Sequence, residues 1–217
     1  MKAPNETLRK ILVSCGLLAS LLYLGMNIFI PMAYPGYNYS EQAVSELSAV
    51  GATTRNSWIF WANIYAVLSI AFGIGIWLSA KGKRSLQIVA ALMVVSAAIG
   101  LFWPPMHQRE DLVAGKGSTT DTLHIVFSAI TVLAFLLMMA FSAGACGKKF
   151  RIYAIGSLVL MIIFLGLTAL QSPQMEANLP TPLLGVWERI GIGLYMLWMA
   201  VFALQLLRQH DRKKGAA

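Results

Sequence analysis

The chain has 217 residues, of which 58% are hydrophobic and only 12% are charged, and its formal net charge is +8. Soluble domains contain about 25% charged residues, so this composition excludes an ordinary water-soluble fold. The basic residues lie in small groups between apolar stretches and are not interleaved with aromatic side chains. That pattern argues against a nucleic-acid-binding surface. The composition therefore indicates an integral membrane protein.

Six apolar segments are each long enough to cross a bilayer. A helix needs about twenty residues to span a hydrocarbon core of roughly 30 Å, because each residue adds about 1.5 Å. The segments cover residues 11–30, 58–80, 85–103, 120–143, 152–170 and 185–207. Lipid offers no hydrogen-bond partner to a backbone, so each segment must be helical. With no second domain apparent, residues 1–217 are predicted to form a single all-α domain, a six-transmembrane-helix bundle.

The N-terminal region resembles a secretory signal in one respect, because basic residues precede an apolar stretch. That stretch is too long for a signal, and no small-residue cleavage motif follows it, so we expect a retained first helix. Cys15 and Cys146 lie on the side that is assigned below to the cytoplasm, and they lack the paired spacing of metal or redox motifs. We expect both to be packing residues without a disulfide.

The distribution of Lys and Arg predicts the orientation of the helices. Both termini and alternate connecting segments contain 13 of these residues, while the intervening segments contain four, namely Arg55, Arg109, Lys116 and Arg189. Because basic residues favour the cytoplasmic side, both termini are predicted to lie in the cytoplasm, with the helices in the cell membrane. The outer segments are longer and carry most of the acidic residues, so we expect any chemistry at the outer face.

The first outer segment contains a short amphipathic pattern over residues 40–51. Its apolar residues share one face of a short helix, which is followed by a glycine; they are Ala43, Val44, Leu47 and Val50. One interpretation is a helix lying in the membrane interface. The other is a lid whose Ser45 and Glu46 turn toward a cavity between the helix ends. The sequence leaves both interpretations open.

The start of the fourth segment carries a candidate catalytic group. Asp121, His124 and Ser128 are spaced i, i+3 and i+7, so they share one helix face. An imidazole held by a carboxylate is suited to general base catalysis or to metal binding. We therefore expect Asp121 to orient His124, with Glu46 as a second acid, and we take His124 and Asp121 as the best candidates for a metal. The alternative is that Asp121 caps the helix together with Ser118 and that His124 is an ordinary interfacial residue.

The sixth segment begins with an adjacent acid and base, Glu188 and Arg189. Neighbouring helical residues point about 100° apart, so one of the two should face the bundle. A charge at that depth needs a partner, and the candidates are Asp121, His124, Glu46 and Arg55. The alternative is an ion pair that only fixes helix packing. The residues predicted to contact a substrate are Ser45, Ser128, Arg55, Glu188 and Arg189.

Several short motifs resemble a known family. They are Tyr39-Ser40, Ser45-Glu46-Leu47-Ser48, Phe102-Trp103-Pro104 and His124. Together with the six-helix layout, they resemble the prokaryotic membrane family catalogued as domain of unknown function 998. That family looks distantly similar to Frag1/DRAM-like proteins, one branch of which is associated with remodelling of glycosylphosphatidylinositol lipids.

The resemblance implies a six-helix fold and a site region around Ser45, Glu46 and His124, and it implies no particular activity. Family proteins often carry an acidic residue soon after the Phe-x-Pro-like element. Here Pro105, Met106 and His107, and then Gln108 and Arg109, separate Pro104 from Glu110. The resemblance therefore implies no role for Glu110 or Asp111.

Three functions are compatible with these features. The first is an enzyme that modifies a lipid or lipid-linked headgroup from the outer face. The second is a non-catalytic accessory protein that binds a lipid or a partner. The third is a small transporter, which is less favoured because the spans carry no internal repeat and no central charge. The cofactor is left unknown, because three clustered ligands of the kind that a catalytic zinc uses are not evident.

Overall fold

The computed structural model describes residues 5–214, and this part of the chain is helical and contains no strand. Its helices are α1 (Glu6–Phe29), α2 (Arg55–Ser79), α3 (Arg84–Gly100), α4 (Arg109–Val113), α5 (Thr119–Ser142), α6 (Lys148–Glu176) and α7 (Leu184–Lys214). Two short 3₁₀ helices, Pro31–Ala33 and Val44–Ser48, lie between α1 and α2. The six predicted apolar segments correspond to all of these α-helices except the short α4.

Five of the described helices are long and apolar enough to cross a membrane, namely α1, α2, α5, α6 and α7. The remaining apolar helix, α3, has 17 residues and is therefore about 25 Å long. It ends at Gly100, three residues before its predicted end, ahead of Pro104 and Pro105. Proline cannot continue a helix and disfavours helical backbone in the residue before it. The helical membrane bundle is confirmed, with a third helix shorter than predicted.

The six apolar helices form a closed ring. Each packs against the next in chain order, from α1 through α2, α3, α5 and α6 to α7, and α7 packs against α1. Arg9 bonds Ser79 at 3.2 Å, and the Lys83 ammonium lies 3.5 Å from the Ala145 carbonyl oxygen. These contacts gather the start of α1 and the two short turns at one end, which we call the basic end. The opposite end, with the connections 30–54, 101–118 and 177–183, is the loop end.

Aromatic side chains of α7 fill the ring from its middle toward the basic end. Tyr195, Trp198 and Phe202 are fully buried, and successive ring centroids are 5.3 and 5.4 Å apart. Phe150 of α6 extends the stack, 5.6 Å from Phe202. Lipid supplies no hydrophobic drive between helices, so contact of this kind and close backbone approach must hold the bundle together. This half of the ring is solidly packed.

Glycine allows that close approach at only some of its positions in the helices. A methyl group built on Gly75 of α2 would lie 2.8 Å from the Val13 amide nitrogen of α1, so a side chain there would separate the two helices. By contrast, nothing lies within 4 Å of such a methyl group at Gly156, Gly166 or Gly193. These three glycines lie in open positions, so a glycine in an apolar segment does not by itself locate a helix contact.

The first long connection folds back onto the loop end of the ring. Its 3₁₀ helix, Val44–Ser48, stands where the amphipathic helix was expected, but it is only five residues long. Ala43, Val44 and Leu47 are at most 4% exposed, and the latter two pack with Met26 and Trp58. The apolar face therefore contacts protein, and the interpretation of a helix in the lipid interface is corrected. The segment covers the end of the bundle.

Candidate functional site

A cavity of about 330 Å³ lies inside the ring, and all six apolar helices contribute to its wall. Its volume falls within the range of small-molecule sites. The deeper wall is apolar and aromatic, with Met93, Phe135, Met161, Tyr195 and Met196. The 3₁₀ helix Val44–Ser48 forms part of the wall at the loop end, through Val44, Ser45 and Ser48. The cavity therefore has a chemically distinct end.

The charged residues and the histidine of the cavity all come from the first two turns of helices that begin at the loop end. Arg55 is the first residue of α2, His124 is the sixth of α5, and Glu188 is the fifth of α7. Ser45, on the 3₁₀ helix, and Ser128, one turn beyond His124, also line the cavity. Five of the eight predicted site residues are therefore brought to one cavity.

Arg55 and Glu188 are fixed to opposite ends of the 3₁₀ helix. The Val44 amide donates to Glu188 Oε2 at 2.6 Å, and Arg55 Nη1 donates to the Ser48 carbonyl oxygen. A carboxylate at the first residue of a helix and a guanidinium at the last complement the partial charges of the helix ends. Among the described residues, Arg55 and Glu188 form no ion pair with each other or with another side chain.

His124 is 7% exposed, and its Nδ1 atom lies 2.8 Å from the Pro104 carbonyl oxygen and 3.1 Å from Trp103 Nε1. A carbonyl only accepts and an indole N–H only donates, so Nδ1 can serve one of them at a time. The shorter contact assigns the proton to Nδ1 and leaves a lone pair on Nε2. No described residue forms a hydrogen bond with Nε2. The imidazole can therefore accept a hydrogen bond or a proton from a molecule in the cavity.

Asp121 holds a different histidine from the one predicted. Its Oδ1 atom accepts from the His107 backbone N–H at 2.6 Å, and Oδ2 lies 2.9 Å from His107 Nδ1. Oδ2 also accepts from the Ser118 amide at 2.7 Å, which completes a capping box at the start of α5. Capping turns the carboxylate toward the loop and away from the bundle. The expectation that Asp121 orients His124 is corrected, and the capping alternative describes it.

Glu46 is likewise engaged away from the cavity. It is 4% exposed, and its two oxygens receive Nη2 and Nε of Arg109 at 2.7 and 3.0 Å. Arg109 Nη1 also donates to Thr181 Oγ1 at 2.8 Å. The buried guanidinium thus joins all three long connections. Glu46 does not line the cavity and instead connects the loops, so of the two residues that the lid interpretation turned toward a cavity only Ser45 lies against one.

Arg189 fastens the first long connection to α7. Its guanidinium donates to the Tyr39 carbonyl oxygen at 2.9 Å and to the Tyr37 hydroxyl at 2.6 Å, and it lies over both aromatic rings. Burial raises the pKa of the Tyr37 phenol, so the hydroxyl keeps its proton and donates to the Ala43 carbonyl oxygen. Arg189 therefore binds a backbone carbonyl and a tyrosine hydroxyl of the first connection, and Glu188 binds the Val44 amide. These contacts take the place of the ion pair that was expected for one of the two residues.

The expected metal candidates do not converge. His124 and Asp121 bond to different partners, and within residues 5–214 no group of three or more His, Cys, Asp or Glu side chains could hold a metal ion. A catalytic zinc takes three protein ligands. The arrangement therefore supports chemistry by an imidazole, a carboxylate and a guanidinium.

A sequence model of the family described as "Protein of unknown function (DUF998)" matches residues 17–205. The chain belongs to this family. The match runs from α1 into α7 and includes every residue that lines the cavity, and it confirms the family resemblance seen in the sequence. No curated protein and no solved structure matches the chain. In this DUF998 protein, the cavity is the feature that bears on function.

Two residues that position the site were missed from the sequence. Trp103 and Pro104 contact His124, yet in the sequence they contributed only to the family motif Phe102-Trp103-Pro104 and were given no role at the site. The signal was present, because a chain forced out of a helix by prolines leaves backbone carbonyls without helical partners. One of these carbonyls, that of Pro104, contacts the histidine twenty residues later.

Proposed function

We propose that the protein binds a membrane lipid in the central cavity, with the headgroup at the loop end and one acyl chain along the apolar wall. The observation that supports this proposal is that the cavity has two chemically different regions. Arg55, His124 and Glu188 line its loop end, whereas methionine and aromatic side chains line its depth. An amphipathic molecule satisfies both regions. A fully polar solute would leave the apolar wall wet, and a purely apolar one would leave charges without partners.

The orientation that follows from the basic residues completes this proposal. The termini and the short turns hold 13 of the 17 Lys and Arg residues, which favours a cytoplasmic basic end and an outer loop end in the cell membrane. The lipid headgroup is then taken from the outer leaflet. The proposal keeps the chain as a single domain, and the contribution of every apolar helix to the cavity wall supports this.

A cavity-filling substitution tests lipid binding. Ser128→Phe places a ring in the cavity, and overpacking of about 1–3 kcal/mol predicts roughly tenfold weaker binding at 1.4 kcal/mol per tenfold. The measurement is photo-crosslinking of the purified protein to phospholipids that carry a diazirine on the acyl chain. Ala129→Phe is the matched control, because Ala129 is the next residue of α5 and is exposed on its outer surface. Equal crosslinking of a folded Ser128→Phe protein and the wild type would contradict the proposal.

A second candidate function is enzymatic modification of the bound headgroup. The observation that favours it is the unpartnered Nε2 atom of His124 in a cavity that also contains Glu188. His124 would act as general base, and its Nδ1 contact with the Pro104 carbonyl oxygen would fix the ring. Asp121 and Glu46, which sequence analysis assigned to this role, are replaced by Pro104 and Glu188.

Replacement of His124 by Gln separates the two functions. A general base contributes about 10²- to 10⁴-fold to a rate, so His124→Gln should abolish conversion of a radiolabelled lipid extract by the purified protein while crosslinking persists. His107→Gln is the control, because His107 is a histidine of the loop end that does not line the cavity. If the wild-type protein crosslinks lipid and converts none, the enzymatic candidate fails and binding alone remains.

A further inference from the structure

The loop end of the cavity presents two opposite charges that do not neutralise each other. Their backbone partners, the Val44 amide and the Ser48 carbonyl, stand at the two ends of a five-residue 3₁₀ helix. Such a helix rises about 2.0 Å per residue, so these anchor points are separated by about 8 Å. Arg55 and Glu188 are therefore held apart by the fold, with the cavity beside both.

Both groups retain unused hydrogen-bonding capacity. Glu188 accepts one bond through Oε2, and no described residue donates to Oε1. Arg55 uses Nη1 for the Ser48 carbonyl, and no described residue accepts from its Nε or Nη2. None of these free atoms is sealed from the surface. Charges this close to the hydrocarbon are costly without a partner, and a molecule in the cavity that both residues line can supply one.

The surface between the two charges is polar. Ser45 and Ser48 are three residues apart, and such residues share a face in a 3₁₀ helix; both line the cavity. The Ser48 hydroxyl donates to the Ser45 carbonyl oxygen at 3.0 Å, which leaves its oxygen able to accept. A cation, two hydroxyls and an anion thus follow one another along the wall. This order matches a headgroup that carries both charges.

We propose that the cavity selects a zwitterionic lipid headgroup, with a phosphate at Arg55 and an ammonium group at Glu188. This inference rests on the proposed lipid binding and names the class of lipid. A guanidinium offers several N–H donors in a planar arrangement that matches phosphate, and a carboxylate accepts N–H donors from an ammonium. A phosphate-only headgroup would leave Glu188 facing an anion.

Binding of headgroup-matched lipids tests the proposal. Native mass spectrometry of the full chain in lipid nanodiscs would compare phosphoethanolamine, phosphoglycerol and diacylglycerol lipids that carry identical acyl chains. The wild-type protein should prefer the ethanolamine lipid over the glycerol lipid by about tenfold, the scale of one charge-assisted hydrogen bond. Glu188→Gln keeps an acceptor for the Val44 amide and should reduce that preference to about one. Glu41 is an exposed acid of the connection that contains Val44, and Glu41→Gln should leave the ethanolamine preference unchanged.

The guanidinium has its own test. Arg55→Gln should weaken both phospholipids relative to diacylglycerol by about tenfold, and Arg55→Lys should retain most of the difference. Equal binding of all three lipids by the wild-type protein would overturn the headgroup assignment and leave lipid binding intact. Absence of any bound lipid would overturn the proposed function itself. A folded Glu188→Gln protein that keeps the ethanolamine preference would overturn the role of Glu188.

Discussion

Replacement of Arg109 by methionine is expected to lower the free energy of unfolding by about 3–5 kcal/mol, the cost of removing one partner of a buried ion pair. The Arg109 and Glu46 side chains are 9% and 5% exposed, and Glu46 would be left as a buried carboxylate without a countercharge. Thr181 would lose its bond from the guanidinium as well. The measurement is chemical denaturation of the purified protein in mild detergent.

A matched control lies in the same connection. Lys116 and Asp111 form an ion pair at 2.7 Å, but the Lys116 side chain is 66% exposed. Lys116→Met should therefore cost far less stability than Arg109→Met, because solvent screens an exposed ion pair. In the double variant Glu46→Gln with Arg109→Met, neither charge of this pair remains, so its cost should fall below the sum of the single costs by about 0.5–3 kcal/mol. If Arg109→Met costs no more than Lys116→Met, the buried pair does not tie the loops.

The second large effect is expected at Gly185, the second residue of α7. A methyl group there would lie 2.5 Å from the Tyr39 carbonyl oxygen and closer still to that of Gln42. Backbone atoms cannot rotate away, so Gly185→Ala must push the first connection off α7. Overpacking of this kind costs about 1–3 kcal/mol. The displaced segment, residues 34–43, should become cleavable in limited proteolysis.

Gly193→Ala is the control for this effect. The position lies about two turns further along α7, and nothing lies within 4 Å of the added methyl group. Alanine is favoured over glycine in a helix by up to about 1 kcal/mol, so the variant should be as stable as the wild type or slightly more stable. Proteolysis of Gly185→Ala at the wild-type rate would show that the loop accommodates the methyl group without leaving the helix.

The six helices could be predicted because each depends on one property, the length of an apolar segment. The gathering of Arg55, His124, Ser128 and Glu188 followed from the same property. These residues lie near the starts of segments that begin on one side, and an antiparallel ring then brings the starts together. Ser45 joined them because its loop folds back. Patterns that span a whole helix were therefore sufficient to predict that these residues lie close together.

The partners of Glu46, Asp121 and Arg189 could not be predicted in this way. Their hydrogen bonds go to loop backbone atoms or to side chains brought in by loops, such as Arg109, His107 and the Tyr39 carbonyl. The path of a loop sets these contacts, and no sequence periodicity describes that path. The Asp121 carboxylate has the spacing expected for a contact with His124, but it binds His107, which lies fourteen residues before it in the sequence.

The position of α7 in the closed ring has a consequence for biosynthesis. This helix closes the circle against α1, supplies the central aromatic stack and brings the only carboxylate among the cavity-lining residues that the structure describes. A nascent chain that has inserted α1 to α6 therefore forms an incomplete ring, which is open to lipid on the side that α7 will fill. If the cavity binds the proposed lipid, it can enclose that lipid only after α7 has packed against α1 and α6, so binding would depend on completion of the bundle.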